Sequence, residues 1–214
     1  MFSKDVQEAY ERIKADILNG VYKFGEPLPE IPLSVKYGIK RTRMRQILQE
    51  LEKDAFIERI PVKGAFVKPI TSKDLQEIYE IREALEGMAA RLAARRRQEN
   101  SLQGLIELFE RHKQDSSEDD LLKKVEVGKK IHQFIFDSCD NGRILLTMAP
   151  LRMQIMRIWN TRHYIPEIIN KSFDEHIEIL MALKERNEKM AERKMREHIC
   201  SAFKAYIKSR FLRD

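Results

Sequence analysis

Residues 41–67 change their hydrophobic period within a few positions, and that change constrains the fold more than any other feature of this chain. Met44, Ile47, Leu48 and Leu51 recur at three- and four-residue spacing, which predicts a helix over residues 41–53. Directly after it, residues 56–60 and 65–67 read as two short strands joined across Pro61, Val62, Lys63 and Gly64. Upstream, Val6, Tyr10, Ile13, Ile17 and Leu18 mark a helix that Gly20 stops, and residues 23–27 form a turn. A short second helix covers residues 33–37 and ends at Gly38. Helix, helix, turn, helix and β-hairpin is the order of a winged helix-turn-helix.

Charge sharpens that reading by its position rather than its total. The net charge of +6 divides evenly at Pro69, with +3 on each side. From Ile31 to Gln49, however, Lys36, Lys40, Arg41, Arg43 and Arg45 occur without a single acid, whereas elsewhere acids and bases alternate as on solvated helix faces. A window of that kind matches a phosphate-binding surface. On a helical wheel the apolar stripe lies between Met44 and Leu51. Thr42, Gln46 and Gln49 fall opposite it, Arg41 and Arg45 on one flank and Arg43 on the other. Such a helix offers donors for guanine and adenine edges in a major groove. The helix alone fits a solvated basic face equally well; the hairpin with Lys63 and Gly64 at its tip favours DNA.

The rest of the chain reads as helix throughout. Hydrophobic residues at 43% supply a core, and 35% charged residues with only eight Gly and seven Pro favour long solvated helices over many short strands. A helix capped at Thr71 and Ser72 carries Leu75, Ile78, Leu85 and Ala89; Ser101 caps the next, which runs to about residue 113. Residues 114–118 form a loop. Further helices are expected over residues 121–139, 144–159, 172–186 and 188–210, with Pro150 kinking or interrupting its own. The domains expected are therefore 1–69, a winged helix-turn-helix with a small β-hairpin wing, and 70–214, an all-α antiparallel helical bundle. Nothing approaches the apolar length that spans a bilayer, and the N-terminus lacks the apolar run of a secretory signal. Cys139 and Cys200 form no CxxC pair and suit a reducing cytoplasm.

Histidine spacing adds a candidate site. If the last two helices turn back near Asn187, His176 and His198 each lie eleven residues from the turn and come level. His132, among Ile131, Phe134 and Ile135, sits near a core. By spacing alone these are either three metal ligands or hydrogen-bonded core histidines. His112 and His163 read as surface residues, and Met148, Met153 and Met156 as packing. Arg82 stands within the apolar stripe of its helix and needs a partner. Either it pairs with Glu86 one turn on, or its planar fork receives a carboxylate ligand.

The segments ILNGVYKFGEPL, YGIKRTRMRQILQELEKDAFI and IPVKGAFV resemble the DNA-binding domain of GntR-type bacterial transcription regulators. IYEIREALEGMAARLAA, IHQFIFDSCDN, DEHIEIL and MREHI resemble the FCD effector domain of the FadR branch of that family. The resemblance implies that Arg41 and Thr42 grip the operator, with Arg45 beside them and Lys63 and Gly64 at the wing tip. Lys36, Lys40, Arg43 and Gln46 complete the expected DNA-binding set. It also implies that His132, His176 and His198 bind a divalent metal, zinc or nickel for imidazole ligands. Arg82, assisted by Arg157, would clamp a small carboxylate effector. Four departures stand out in the first domain: Phe24 for a proline, Lys40 for a capping serine, Arg43 for proline or threonine, and Ala55 for a glycine. In the second, Gly128 stands where the acidic ligand is expected, so the metal site should be weaker and Gly128→Asp should tighten it.

These expectations describe a non-enzymatic, cytoplasmic, ligand-responsive regulator that binds a palindromic duplex operator as a homodimer, without a membrane. Two others compete with it. One is a metal-dependent hydrolase-like helical domain fused to a DNA-binding module, for which no general base is evident; the other is a regulator that has lost metal sensing.

Overall fold

The structure is a computed structural model that describes residues 3–113, 118–160 and 165–211. Among the described residues it contains nine helices and one two-stranded antiparallel sheet. The chain forms two compact units, Met1–Ser72 with Pro150–Arg162, and Lys73–Ala149 with His163–Asp214.

In the first unit, α1 (Lys4–Leu18), α2 (Glu30–Tyr37) and α3 (Arg41–Lys53) precede β1 (Ile57–Ile60) and β2 (Gly64–Val67). The strands pair from Ile57 opposite Val67 to Ile60 opposite Gly64, which is the expected wing. Ile13, Met44, Ile47, Leu48 and Leu51 are fully buried and form the centre of one core. The wing's base closes on the chain before α2, where the Leu28 amide donates to the Ala65 carbonyl at 2.8 Å. The α3 end is held by two reversed hydrogen bonds, from the Phe56 amide to the Leu51 carbonyl and from the Ala55 amide to the Glu52 carbonyl. That motif places Ala55 at φ 60°, in the left-handed region.

The second unit carries α4 (Ser72–Arg96), α5 (Glu99–Arg111), α6 (Glu118–Ser138), the start of α7 (Gly142–Asn160), α8 (Pro166–Lys184) and α9 (Glu188–Phe211). Several boundaries differ from expectation: α2 begins at Glu30 and α6 at Glu118, each three residues early. α5 begins at Glu99, so Ser101 lies inside it rather than capping it. α8 begins at Pro166, six residues early, because a proline suits the first turn, where its missing amide costs no hydrogen bond. α7 is assigned as helix through Pro150, and the chain passes from the second unit to the first at that residue. Of the loop expected over residues 114–118, residues 114–117 lie outside the described residues and Glu118 is the first residue of α6. No helix among the described residues is long and apolar enough to cross a membrane.

Candidate DNA-facing surface and metal centre

The four buried residues of α3 point its polar residues outward: Arg41, Thr42, Arg43, Arg45 and Gln46 are all exposed, as are Lys36, Lys40, Lys63 and Gly64. Lys40 precedes α3 without a side-chain cap, consistent with the loss of serine there. A groove of about 660 Å3 between the start of α2, α3 and the wing brings together Glu30, Arg41, Arg45, Arg59, Lys63 and Gly64. The other basic residues of the window lie elsewhere. Arg43 pairs with Asp5 of α1, and Lys36 pairs with Tyr22 and Asp16. A window free of acids along the chain is therefore well supplied with them in space, including one, Glu30, that immediately precedes it.

In the second unit, α6, α8 and α9 present His132, His176 and His198 to a common point. All three are buried, and Nε2 of His176 lies 3.2 Å from that of His132 and 3.1 Å from that of His198. The turn after α8 therefore sets the last two histidines level, as their spacing predicts. His132 Nδ1 faces Glu86 Oε2 at 2.7 Å, and His198 Nδ1 faces Glu175 Oε2 at 2.9 Å. A carboxylate opposite Nδ1 fixes the proton there and leaves the Nε2 lone pair for the centre. Burial, then His198, His132 and Arg82, push the His176 imidazole well below its ordinary pKa. Burial likewise lowers His198, against the opposing effect of Glu175.

This donor set fits a divalent ion. Two nitrogens about 2.0–2.1 Å from a tetrahedral ion are about 3.3 Å apart, close to the separations here. Three neutral imidazoles with converging lone pairs otherwise have too few protons to satisfy one another. His176 Nδ1 is buried and has no hydrogen-bond partner among the described residues. Its ring lies against Gly128, where a β-carbon would come 2.9 Å from Cε1 and 3.2 Å from Nδ1. An acidic ligand at position 128 would therefore require the His176 ring to shift, which sets a cost against the tightening expected of Gly128→Asp. A cavity of about 320 Å3 lined by Glu175, Glu178, Lys194, Glu197 and His198 among others reaches the cluster from the surface.

Arg82 is 1% exposed and forms the ion pair with Glu86, Nε to Oε1 at 2.6 Å, over the Tyr79 ring. Glu86 thereby joins Arg82 to His132, and its carboxyl is held down at about 2 by Arg82 and His132 against the opposing effect of burial. Arg157 makes a set of contacts of its own. It belongs to the first unit, where its Nη2 donates to the Lys68 carbonyl at 2.6 Å and its guanidinium covers Phe24 at 4.8 Å. The physical reason is that the second half of α7 packs on the winged-helix core, where Met153 also lies. Phe24, the departure from proline, supplies the ring that Arg157 covers.

Two smaller expectations are corrected. His112 is half-buried, with Nδ1 2.7 Å from Oδ1 of the buried Asp120. Met156 is exposed, whereas Met148 is buried as expected. His163 lies outside the described residues. Glu30 matters here without standing out along the chain. Glu86 is the expected partner of Arg82, but its second contact, to His132, is not legible in sequence, and Glu175 adjoins His176 yet serves His198.

Helix-turn-helix and wing together define the class of a DNA-binding transcription regulator. The family described as bacterial regulatory proteins, gntR family, matches residues 5–67, and the FCD domain matches residues 77–200. The chain belongs to the FCD-containing gntR family of bacterial regulators. It is 29% identical over 195 residues to the uncharacterized HTH-type transcriptional regulator YdhC of Bacillus subtilis, covering 88% of this chain and 85% of that one. It is 26% identical over 204 residues to the HTH-type transcriptional repressor RspR of Escherichia coli, covering 90% and 85%. The Escherichia coli McbR/YncC structure shares the fold, with a TM-score of 0.75 at 19% identity over 97% of this chain and 99% of that one. Families and relatives alike are transcription regulators, and the chain is a regulator rather than an enzyme.

Proposed function

We propose that the protein is a cytoplasmic, ligand-responsive regulator that binds a two-fold operator as a homodimer and senses a small carboxylate effector at a divalent-metal site. The observation that carries the sensing part is the convergence of three Nε2 atoms, two of them aimed by carboxylates on the opposite ring nitrogen. His132, His176 and His198 would hold the ion, zinc or nickel by ligand chemistry. A bound ion would supply a Lewis-acid position that an effector carboxylate completes. Glu86 and Glu175 keep two imidazoles in the ligating tautomer, and Arg82 neutralises Glu86. Arg82 holds Glu86 through Nε, so an effector carboxylate drawn to its Nη groups would be coupled through Glu86 to the orientation of His132.

At the DNA end, Arg41, Thr42, Arg45 and Gln46 on α3 with Lys63 and Gly64 on the wing would contact the operator. A symmetric dimer presents two such surfaces and therefore favours a palindrome. Exposed Ile81 and Met88, two turns apart on α4, support burial of that face by a second copy. Effector binding would favour one spacing of the two DNA-binding heads, a coupling of ~1–3 kcal/mol.

The experiment is elemental analysis of the purified protein with calorimetric titration of zinc and nickel into chelator-treated protein. Roughly one ion per chain is expected, and its loss in the His176→Ala/His198→Ala variant. No ion and no titratable site would overturn the metal reading.

A further inference from the structure

The first residue of α2, Glu30, sits behind two arginines of the DNA-facing groove. Its Oε1 accepts a hydrogen bond from Arg45 Nε at 3.0 Å, and its Oε2 accepts from Arg45 Nη2 at 3.1 Å and from Arg41 Nε at 3.3 Å. The Glu30 side chain is 23% exposed, against 62% for Arg41 and 56% for Arg45, so the carboxylate lies beneath and the guanidinium groups in front. Both arginines hold the Glu30 carboxyl below its ordinary range.

A carboxylate in a groove built for a polyanion repels phosphate and has little to offer most base edges. Its contribution must come through the arginines it holds. The side-on fork uses the Nε and Nη2 edge of Arg45 and leaves the end-on edge, the geometry that matches guanine O6 and N7. The same carboxylate cancels one of the two positive charges, which weakens attraction to phosphate of any sequence.

We propose that Glu30 is a specificity-setting residue, positioning Arg41 and Arg45 for base edges and suppressing their indiscriminate pairing with phosphate. This rests on the reading of α3 as the DNA-reading helix. Sequence specificity here is then a property of a three-residue unit, with a carboxylate on α2 as the reference point for two guanidinium groups on α3.

The test uses the full chain, a duplex selected by the wild-type protein from random-sequence DNA, and a scrambled duplex of equal length and composition. Glu30→Gln keeps the size and removes the charge. Affinity for scrambled DNA should rise, with a salt dependence steeper by up to about 0.9 in log–log slope. The ratio of selected to scrambled affinity should fall about tenfold or more, in the range of one lost base discrimination. In an Arg45→Lys background, which lacks the fork, Glu30→Gln should change the ratio much less. Thermal unfolding should stay cooperative with an unchanged midpoint; a lowered midpoint with both affinities reduced together would make Glu30 a fold element and overturn the proposal. An unchanged ratio in Glu30→Gln, with Arg45→Ala abolishing selected binding, would overturn this inference and leave the reading of α3 intact. Full selected binding by both Arg41→Ala and Arg45→Ala would overturn that reading itself.

Discussion

The imidazole of His176 packs on the backbone of Gly128, so closely that a β-carbon at position 128 would lie 2.9 Å from Cε1. The glycine therefore creates the space that the third histidine occupies. Gly128→Ala should displace the ring. The helix gains up to about 1 kcal/mol of propensity, but overpacking a filled site costs about 1–3 kcal/mol. Net loss of stability and weaker zinc binding are expected, and Gly128→Asp should weaken binding too. Titration calorimetry of both variants checks this; tighter binding by the aspartate variant would show that the ring yields to a fourth ligand.

Glu86 joins the buried Arg82 to His132, with distances of 2.6 Å and 2.7 Å on its two oxygens. Glu86→Gln removes the charge that both partners face, depriving a buried guanidinium of its paired carboxylate. Breaking such a pair costs about 3–5 kcal/mol, and losing the carboxylate behind a ligating imidazole costs about 10–100-fold in metal affinity. The Glu175 side chain is 21% exposed, so Glu175→Gln should lose metal affinity with a smaller loss of stability. Paired urea unfolding and metal titration separate the two effects. Equal stability losses in the two variants would contradict the difference in burial.

Stability without metal should fall on acidification. His176 and His198 are held neutral by burial below their ordinary value of 6.5, whereas in the unfolded chain they protonate near it. The unfolded state therefore binds more protons once the pH drops below that value. Stability is full above it and falls as the pH is lowered, by at most about 2.7 kcal/mol per pH unit for two such groups. Glu86, held at about 2 against an ordinary 4.5, adds its own loss only below the latter. Urea unfolding of chelator-treated protein between about pH 8 and pH 5 reads the slope. A flat profile would show that the imidazoles are not buried and neutral.

Much of the architecture is written in local spacing, and what is not is written across space. The hydrophobic period of residues 41–67 specifies the winged helix because each element is short and buries its own apolar face against one core. The levelness of His176 and His198 follows from the turn at Asn187 and the helical rise alone. The carboxylates behind the cluster do not, since Glu86 reaches His132 from α4 and Glu175 of α8 crosses to His198 on α9. Glu30 stayed hidden for the same reason: it ends just where the acid-free window begins, eleven and fifteen residues from the arginines it holds. Pro166 does not by itself announce the start of α8, because a proline fits a loop and the first turn of a helix alike.

Arg157 shows how periodicity can place a residue on a helix without saying which core that helix joins. The residue is 3% exposed and its pKa is lowered to about 10 by burial. Arg157→Ala strips the half-buried Lys68 carbonyl of its donor and uncovers Phe24, a loss toward the low end of the about 1–3 kcal/mol that an unsatisfied buried group costs. The variant should unfold at lower urea and bind DNA less well, with metal affinity unchanged. A changed metal affinity with unchanged stability would instead tie Arg157 to the histidine cluster.

Ala55 adopts φ 60° at the end of α3, the conformation that closes the two reversed hydrogen bonds from Ala55 and Phe56. A side chain in the left-handed region costs ~1–2 kcal/mol, which a glycine there avoids at the expense of about 0.5–1 kcal/mol of extra freedom in the unfolded chain. Ala55→Gly should therefore stabilise the first unit by about 0.5–1 kcal/mol, with no loss of DNA affinity, because the residue caps the far end of α3 from Arg41. Chemical denaturation followed through the winged-helix transition measures the gain. Destabilisation by Ala55→Gly would mean that the methyl group contributes more by packing than its conformation costs, placing the strain relief outside this motif.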